Sequence, residues 1–352
     1  MNSSTDQGTD AVEHILVIRF SSLGDILLTA PALRALRNRF PESHIDLLVA
    51  DEFRDAAKMI PGPNRILGFN RSRGFSELLR LRGKLSRCYH VVVDLQNNFR
   101  SSFLRTCLFP TLWVKARRYR IRRWLLIHFK WNLYGEIRPV PVRYLDAVEM
   151  LGCHNDGRGL ELSLDESTTL RATRIIESWK QDSKPFAVLS PGAKHFTKRW
   201  PAERWIELGR MLSESGKFVV VLGDSSEAEL VSGIAKQIPK AVTVIAEPIE
   251  QVAALLRQAE FAVTNDSGIM HLAAGVGTPL VSLFGSTVRQ FGFIPYSENA
   301  ILVEHELPCR PCTAFGRASC PKRHFRCMMD TTAEWVFAKI QELIQTRNQP
   351  TT

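Results

Sequence analysis

HILVIRFSSLGDILLTAPALRALRNR, residues 14–39, decides the fold. Its opening run, His14–Phe20, is short, apolar and rich in β-branched residues, the signature of a strand buried on both faces of a parallel sheet. A loop, Ser21–Gly24, follows directly. Asp25–Arg39 then sets Ile26, Leu27, Ala30, Leu33, Ala35 and Leu36 near helical spacing. Pro31 fits such a helix only in a first turn, where its missing N–H costs nothing. A strand, a tight loop and a helix in that order are the first unit of a doubly wound α/β sheet.

The same alternation continues outward. His44–Val49 and Val91–Asp94 read as further strands of the first half, each preceded by a helix-like stretch. A polar stretch, Leu164–Lys184, which should itself contain a helix, separates the halves. Beyond it Phe186–Leu189, Phe218–Leu222, Val242–Ile245, Phe261–Thr264 and Leu280–Leu283 repeat the short apolar runs. Residues 331–347 carry Trp335, Val336, Ile340, Leu343 and Ile344 at helical spacing, a closing amphipathic helix. The expected division is a first Rossmann-like domain over 1–165, a second over 166–330, and a closing helix and tail over 331–352. Two such sheets facing each other leave a cleft at the carboxyl ends of their strands, where ligands bind.

Composition narrows the function. The 352 residues suit two domains, and 45% hydrophobic with 23% charged residues is ordinary globular usage, which excludes disordered and collagen-like chains. No stretch of about 18 apolar residues lacks a charge or a strongly polar group, and the N-terminus has neither a basic flank nor an apolar core, so neither a membrane span nor a secretory signal is expected. Seven cysteines are too few and too uneven for an extracellular disulfide framework in a chain of this length. A cytoplasmic protein follows. The net charge of +10 lies mainly in residues 1–165, where 25 Lys and Arg face 17 Asp and Glu. Between Asp94 and Glu136 there is no acidic residue, against nine basic ones. That field recruits an anionic partner, which could be nucleic acid, an anionic membrane surface or a phosphorylated substrate.

Three loops that follow strands can carry chemistry. In Ser21-Ser22-Leu23-Gly24-Asp25 a carboxylate sits at a helix start, either as a base at the mouth of the cleft or as a plain N-cap. The loop is not GxGxxG and lacks a Walker lysine, which argues against a nicotinamide-dependent oxidoreductase and a P-loop ATPase. Residues 190–201, SPGAKHFTKRWP, gather Lys194, Lys198 and Arg199 where a diphosphate needs them, unless they are only a solvated loop. Residues 263–271, VTNDSGIMH, place Asp266, Ser267 and Gly268 before a helix whose first N–H groups can receive a phosphate, with His271 as a further donor. The plainer reading makes Asp266 an N-cap and His271 a core histidine.

Weaker signals surround these. Glu227, after the second strand of the second half, could hold ribose hydroxyls. Cys309, Cys312, Cys320 and Cys327 begin as a CxxC pair but lack a second knuckle, leaving half a zinc pattern or simply reduced thiols. YRIRRWLLIHFK, residues 119–130, interleaves arginine with aromatic and aliphatic residues, which suits a lipid headgroup layer, a nucleic acid, or a helix with its apolar side in the core.

Four stretches in this order and at these distances, ILVIRFSSLGDILLTAPALRAL, PGAKHFTKRWP, VTNDSGIMHLAAGVGTPLVSLFG and the tail CRPC…CP…CMMD, resemble the bacterial ADP-heptose:lipopolysaccharide heptosyltransferases of glycosyltransferase family nine. The resemblance spans roughly residues 14–345. It implies a GT-B fold, two Rossmann-like domains facing a central cleft, the first taking a lipid-linked acceptor and the second the nucleotide sugar. It also implies an inverting single displacement that needs no metal ion or other cofactor. Asp25 then matches the base that takes the acceptor proton. Lys198 matches the lysine on the diphosphate, acting in catalysis and binding alike. Asp266, Ser267, Gly268 and His271 match the element around ADP, and Glu227 the acidic residue near the ribose. Ser21, Ser22 and Gly24, with Arg118, Arg120, Arg122 and Arg123, are the candidate acceptor-binding residues.

The expected partners are therefore ADP-heptose, the inner core of lipopolysaccharide and the anionic inner-membrane surface, with no nucleic acid, for a protein peripheral on the cytoplasmic side of that membrane. The rivals are a related core glycosyltransferase with another donor or acceptor, a non-catalytic nucleotide- or nucleic-acid-binding protein, and the oxidoreductase.

Overall fold

The computed structural model describes residues 12–85, 89–106, 108–179 and 185–348. Residues 1–11, read above for a signal, residues 180–184 at the end of the polar stretch, and Cys88 and Cys107 lie outside them. The described chain forms two sheets. The first holds β1 (His14–Ile18), β2 (His44–Ala50), β3 (Arg65–Phe69), β4 (Val91–Asp94) and β5 (Leu112–Lys115), in the order β3-β2-β1-β4-β5. The second holds β6 (Phe186–Ser190), β7 (Phe218–Gly223), β8 (Val242–Ile245), β9 (Phe261–Asn265), β10 (Leu280–Phe284) and β11 (Ala300–Glu304), in the order β11-β10-β9-β6-β7-β8. Every strand pair is parallel.

Both faces of each sheet are covered, which is why the central strands read as continuous apolar runs. Along β1, Ile15 and Val17 enter one core cluster while Leu16 and Ile18 enter the cluster on the opposite face. Along β6, Phe186 and Val188 separate in the same way from Ala187 and Leu189. The cluster holding Ile15 and Val17 also holds Phe186, Val188 and Leu280, so an apolar seam runs from one sheet to the other. Val336, Ile340 and Leu343 of the closing helix, Ala333–Asn348, are buried against the outer face of the second sheet.

The strands missing from the sequence reading are β3, β5 and β11, all at sheet edges. Their residues are mostly half-exposed; Leu112–Val114 and Ala300–Val303 are short apolar runs that the sequence reading passes over. The helix expected over Asp25–Arg39 is two helices, Leu23–Leu27 and Ala30–Arg39. Pro31 causes the break: it lies in the first turn of the second helix, where its ring removes no bond.

Candidate active site in the interdomain cleft

Strand order in the first sheet reverses between β1 and β4, and in the second between β6 and β9. Loops at such reversals open a crevice beyond the strand ends. The three chemistry-bearing loops follow β1, β6 and β9, so topology brings Asp25, Lys198 and Asp266 to one cleft. Glycines let the two halves approach. A Cβ on Gly24 would stand 2.4 Å from Cδ2 of His271, and one on Gly268 would stand 2.8 Å from Cδ2 of Leu23. The Leu23–Leu27 helix thus lies against the Gly268–Gly275 helix of the other domain.

Asp25 is not the N-cap. Ser22 caps the helix and Asp25 lies in its first turn, where Oδ2 accepts hydrogen bonds from the Ser22 N–H (3.1 Å) and hydroxyl (2.9 Å). Its Oδ1 is in a salt bridge with Arg19. The Arg19 guanidinium is buried, also donates to the carbonyl of Leu95 (2.8 Å), and lies over the ring of Tyr144. Burial pushes the Asp25 carboxyl up. The charge of Arg19 and the Ser22 hydrogen bonds outweigh it, and the group is held below the ordinary carboxylate value. An ionised carboxylate offers about four lone-pair sites, and three are taken here.

Lys198 and Asp266 meet directly across the second domain's strand ends. Lys198 Nζ lies 2.6 Å from Asp266 Oδ2, which also accepts from the Thr287 hydroxyl at 2.6 Å. Asn265 holds the two loops together, donating to the Pro191 carbonyl (2.7 Å) and accepting from the Trp200 N–H (3.1 Å). Lys194 stands apart, exposed to solvent, and Arg199 donates to the carbonyl of Ala193. Of the three cations in this loop, Lys198 is the one paired with Asp266. Glu227 packs its carboxylate against Gly192, accepts from the Asp224 N–H (3.2 Å), and is raised in pKa by burial.

The N-cap of the Gly268–Gly275 helix is Ser267, not Asp266, and its side chain makes no capping bond. Its hydroxyl is buried without a partner, as is Nδ1 of His271. His271 is not a satisfied core histidine. Burial drives its pKa down to about 4, so the ring is neutral and offers one donor and one acceptor.

The arginines divide. Arg118, Arg120 and Arg123 line one open cavity, whereas Arg122 is not among its lining residues and lies over the Tyr119 ring. Ser21 and Ser22 are accessible beside Asp25, and Gly24 is buried under His271. The helix Arg120–Phe129 buries only Leu126, so its apolar side is not wholly in the core. The five described cysteines are free, and no group of three or more metal-ligating side chains is placed for an ion among the described residues.

Sequence reasoning missed Arg19, Thr287 and Arg317, the last also lining the cavity beside Arg118. Arg19 did leave a signal, a charge inside an apolar strand run, which demands a buried partner.

Two parallel-sheet domains facing each other across a cleft at their strand ends are the GT-B architecture. The chain belongs to glycosyltransferase family 9 (heptosyltransferase), whose model matches residues 78–320. It is 27% identical over 334 residues to lipooligosaccharide heptosyltransferase 2 of Campylobacter jejuni, covering 92% of this chain and 96% of that one. Among solved structures it is similar to a family 9 glycosyltransferase from Veillonella parvula, with 21% identity, TM-score 0.77, and 95% and 97% of the two chains covered. It is also similar to the ADP-heptose lipopolysaccharide heptosyltransferase II of E. coli, at 22% identity and TM-score 0.71, covering 96% of this chain and all of that one. At those identities the two structures speak for the fold alone. Family membership sets aside the oxidoreductase and the binding-only readings.

Proposed function

We propose that this protein transfers heptose from ADP-heptose to a hydroxyl of the lipopolysaccharide inner core, with inversion and without a metal ion. The observation that carries the reading is the state of Asp25, an ionised carboxylate at the cleft mouth with a single acceptor site unclaimed. The acceptor hydroxyl fits that site. As its oxygen bonds to the anomeric carbon and the bond to the diphosphate breaks, the hydroxyl becomes strongly acidic, so a carboxylate of low pKa suffices to take the proton. ADP leaves with the bonding electron pair.

The charge on that leaving group is met by Lys198 and by the free N–H groups and hydroxyl at Ser267, with a neutral His271 donating beside them. Glu227 holds the ribose hydroxyls in this reading. No helix among the described residues is long and apolar enough to cross a membrane. Ile121, Trp124, Phe129 and Trp131 are nonetheless each more than half exposed beside Arg117, Arg122 and Lys130, which supports peripheral association with an anionic bilayer.

The test is ADP release from ADP-heptose with lipopolysaccharide acceptors truncated at successive core positions. Asp25→Asn is expected to lower kcat by about 10³-fold on the one accepted substrate while ADP binding persists. An unchanged kcat would remove Asp25 as the base; no turnover by the native enzyme on any acceptor would remove the donor or acceptor assignment.

A further inference from the structure

Asp25 is held by a residue that is itself held. Arg19 lies one residue past the end of β1, and its buried guanidinium pairs with Asp25 and donates to the Leu95 carbonyl (2.8 Å). Hydrogen bonds fix only part of it. Its Nε is buried without a partner, and the ring of Tyr144 covers the guanidinium, whose carbon lies 5.6 Å from the ring centre. The loop backbone beside the base has a separate clamp in Gln96, whose Oε1 accepts from the N–H groups of Phe20 (3.0 Å) and Ser21 (3.4 Å). That clamp sets the chain and not the charged group, so the Tyr144 ring is what confines the guanidinium where hydrogen bonds do not.

Tyr144 is placed by both domains. It lies on the Val140–Glu149 helix, whose Val140 and Val148 are buried in the core cluster that also holds Leu33 and Val114 of the first domain. The start of that helix docks on the second domain. The Val140 N–H donates to the Gly292 carbonyl (2.9 Å), and Arg143, buried next to Tyr144 in sequence, reaches the Gln290 carbonyl (3.5 Å). Gly292 has φ +83°, and a Cβ there would stand 2.6 Å from the Arg138 carbonyl oxygen, so this approach requires glycine. Thr287, five residues earlier, donates to Asp266, the partner of Lys198. One short stretch of the second domain, residues 287–292, therefore touches the Lys198–Asp266 pair at one end and the helix carrying Tyr144 at the other.

We propose that Tyr144 is a positioning residue for the base: its ring holds the Arg19 guanidinium against Asp25, and the 287–292 segment, by anchoring its helix, keeps the base aligned with the Lys198–Asp266 pair across the cleft. A cation over an aromatic face is attracted most strongly where water is excluded, and Tyr144 is 4% exposed. Burial pushes the Tyr144 phenol well above its ordinary value, so the ring stays neutral and adds no charge of its own beside Asp25. Among the described residues the Tyr144 hydroxyl makes no hydrogen bond, which leaves the ring face as the group that acts. This deepens the reading of Asp25 as the base and rests on it.

The experiment compares native enzyme with Tyr144→Phe, which keeps the ring, and Tyr144→Leu, which removes it. Tyr144→Leu is expected to lower kcat about tenfold with the KM for ADP-heptose unchanged. It should also move the acid limb of kcat/KM to higher pH, because a loosened Arg19 no longer offsets burial at Asp25. Tyr144→Phe should keep most of the native rate and the native limb. In an Arg19→Met background Tyr144→Leu should move the limb no further, since the ring acts through the guanidinium. A Tyr144→Leu protein that melts lower but keeps the native kcat and limb makes Tyr144 a core residue only and overturns the proposal. Tyr144→Phe losing as much as Tyr144→Leu overturns it too. Should Tyr144→Leu not fold, Tyr144→Met refills the space without a ring and faces the same outcomes. The carbon NMR signal of the Asp25 carboxyl, identified by its loss in Asp25→Asn, separates this proposal from the assignment of the base. If the carboxyl titrates higher in Tyr144→Leu than in native and Tyr144→Phe protein while the kcat/KM limbs coincide, the ring holds Arg19 as proposed and it is the base assignment that falls. Equal carboxyl titrations in all three overturn the proposal.

Discussion

Two helix starts face each other across the cleft, and they are finished in opposite ways. At Ser22 the local polar groups satisfy one another. The cap N–H and hydroxyl both bind Asp25, and a buried arginine holds the other carboxylate oxygen. At Ser267 the cap hydroxyl is buried and unpartnered, the helix start is free of any side-chain cap, and the adjacent carboxylate of Asp266 is neutralised by Lys198. Buried polar groups are normally paired, and those left unpaired in a fold mark where a ligand completes the set. The first start keeps a negative charge ready for a proton; the second keeps donors ready for a negative charge. That asymmetry matches an acceptor hydroxyl on one side and a leaving diphosphate on the other.

After the loss expected from Asp25→Asn at the first start, the next largest effect breaks the second. Lys198→Met should lower kcat by about 10²-fold, in the range seen for removing one charge-stabilising donor, and should weaken ADP binding. The single change also strands a buried Asp266, so its losses mix catalysis with stability. The double variant Lys198→Met/Asp266→Asn separates them. Its thermal midpoint should return toward the native value while kcat remains low. Recovery of rate in the double variant would mean that Lys198 serves only to neutralise Asp266.

How far the sequence disclosed this comparison differs between its parts. The loops after β1, β6 and β9 were legible because each follows a short apolar run and precedes a helical pattern, and local order alone places them at strand ends. Asp25 and Ser267 were visible as residues, but not the roles their helices give them. One was read as a cap or a base and the other's neighbour as a cap, because a boundary uncertain by two residues exchanges N-cap and first-turn positions. The cavity at Arg118 was only half legible. Its basic helix stood out by charge, while Arg317 lies almost 200 residues away in a stretch read only for its cysteines. The edge strand β5 is an apolar run of only three residues, Leu112–Val114, between Pro110 and Lys115, too short to be told from a loop by pattern.

A smaller effect sharpens the first start. Arg19→Met removes the attraction that holds Asp25 low, leaving burial, the largest influence on that carboxyl, opposed chiefly by Ser22. The acid limb of the kcat/KM profile, expected below the ordinary carboxylate value of 3.8 in the native enzyme, should then move to higher pH. Arg19→Lys, which keeps the charge, should move it less. Coincident acid limbs in all three proteins would show that Asp25 is not the group the profile reports.

The smallest effect at neutral pH concerns the ring wedged between the two starts. His271 is neutral in the fold, driven to about 4 from an ordinary 6.5 mainly by burial, with Lys198 adding to the drop against the carboxylates of Asp266 and Asp25. As pH falls the unfolded chain takes up a proton first, near 6.5, while the folded protein takes it up only near 4. The stabilisation from this group is therefore complete above pH 6.5 and is lost as pH falls toward 4. His271→Asn removes the titration, so its melting temperature should decline less steeply than the native one across that interval. The contrast holds even if the variant is less stable throughout, because the slope and not the height carries the information. Parallel slopes would place the charged imidazole in the fold, and a charged ring beside Lys198 would make this face of the cleft more cationic than its buried geometry allows.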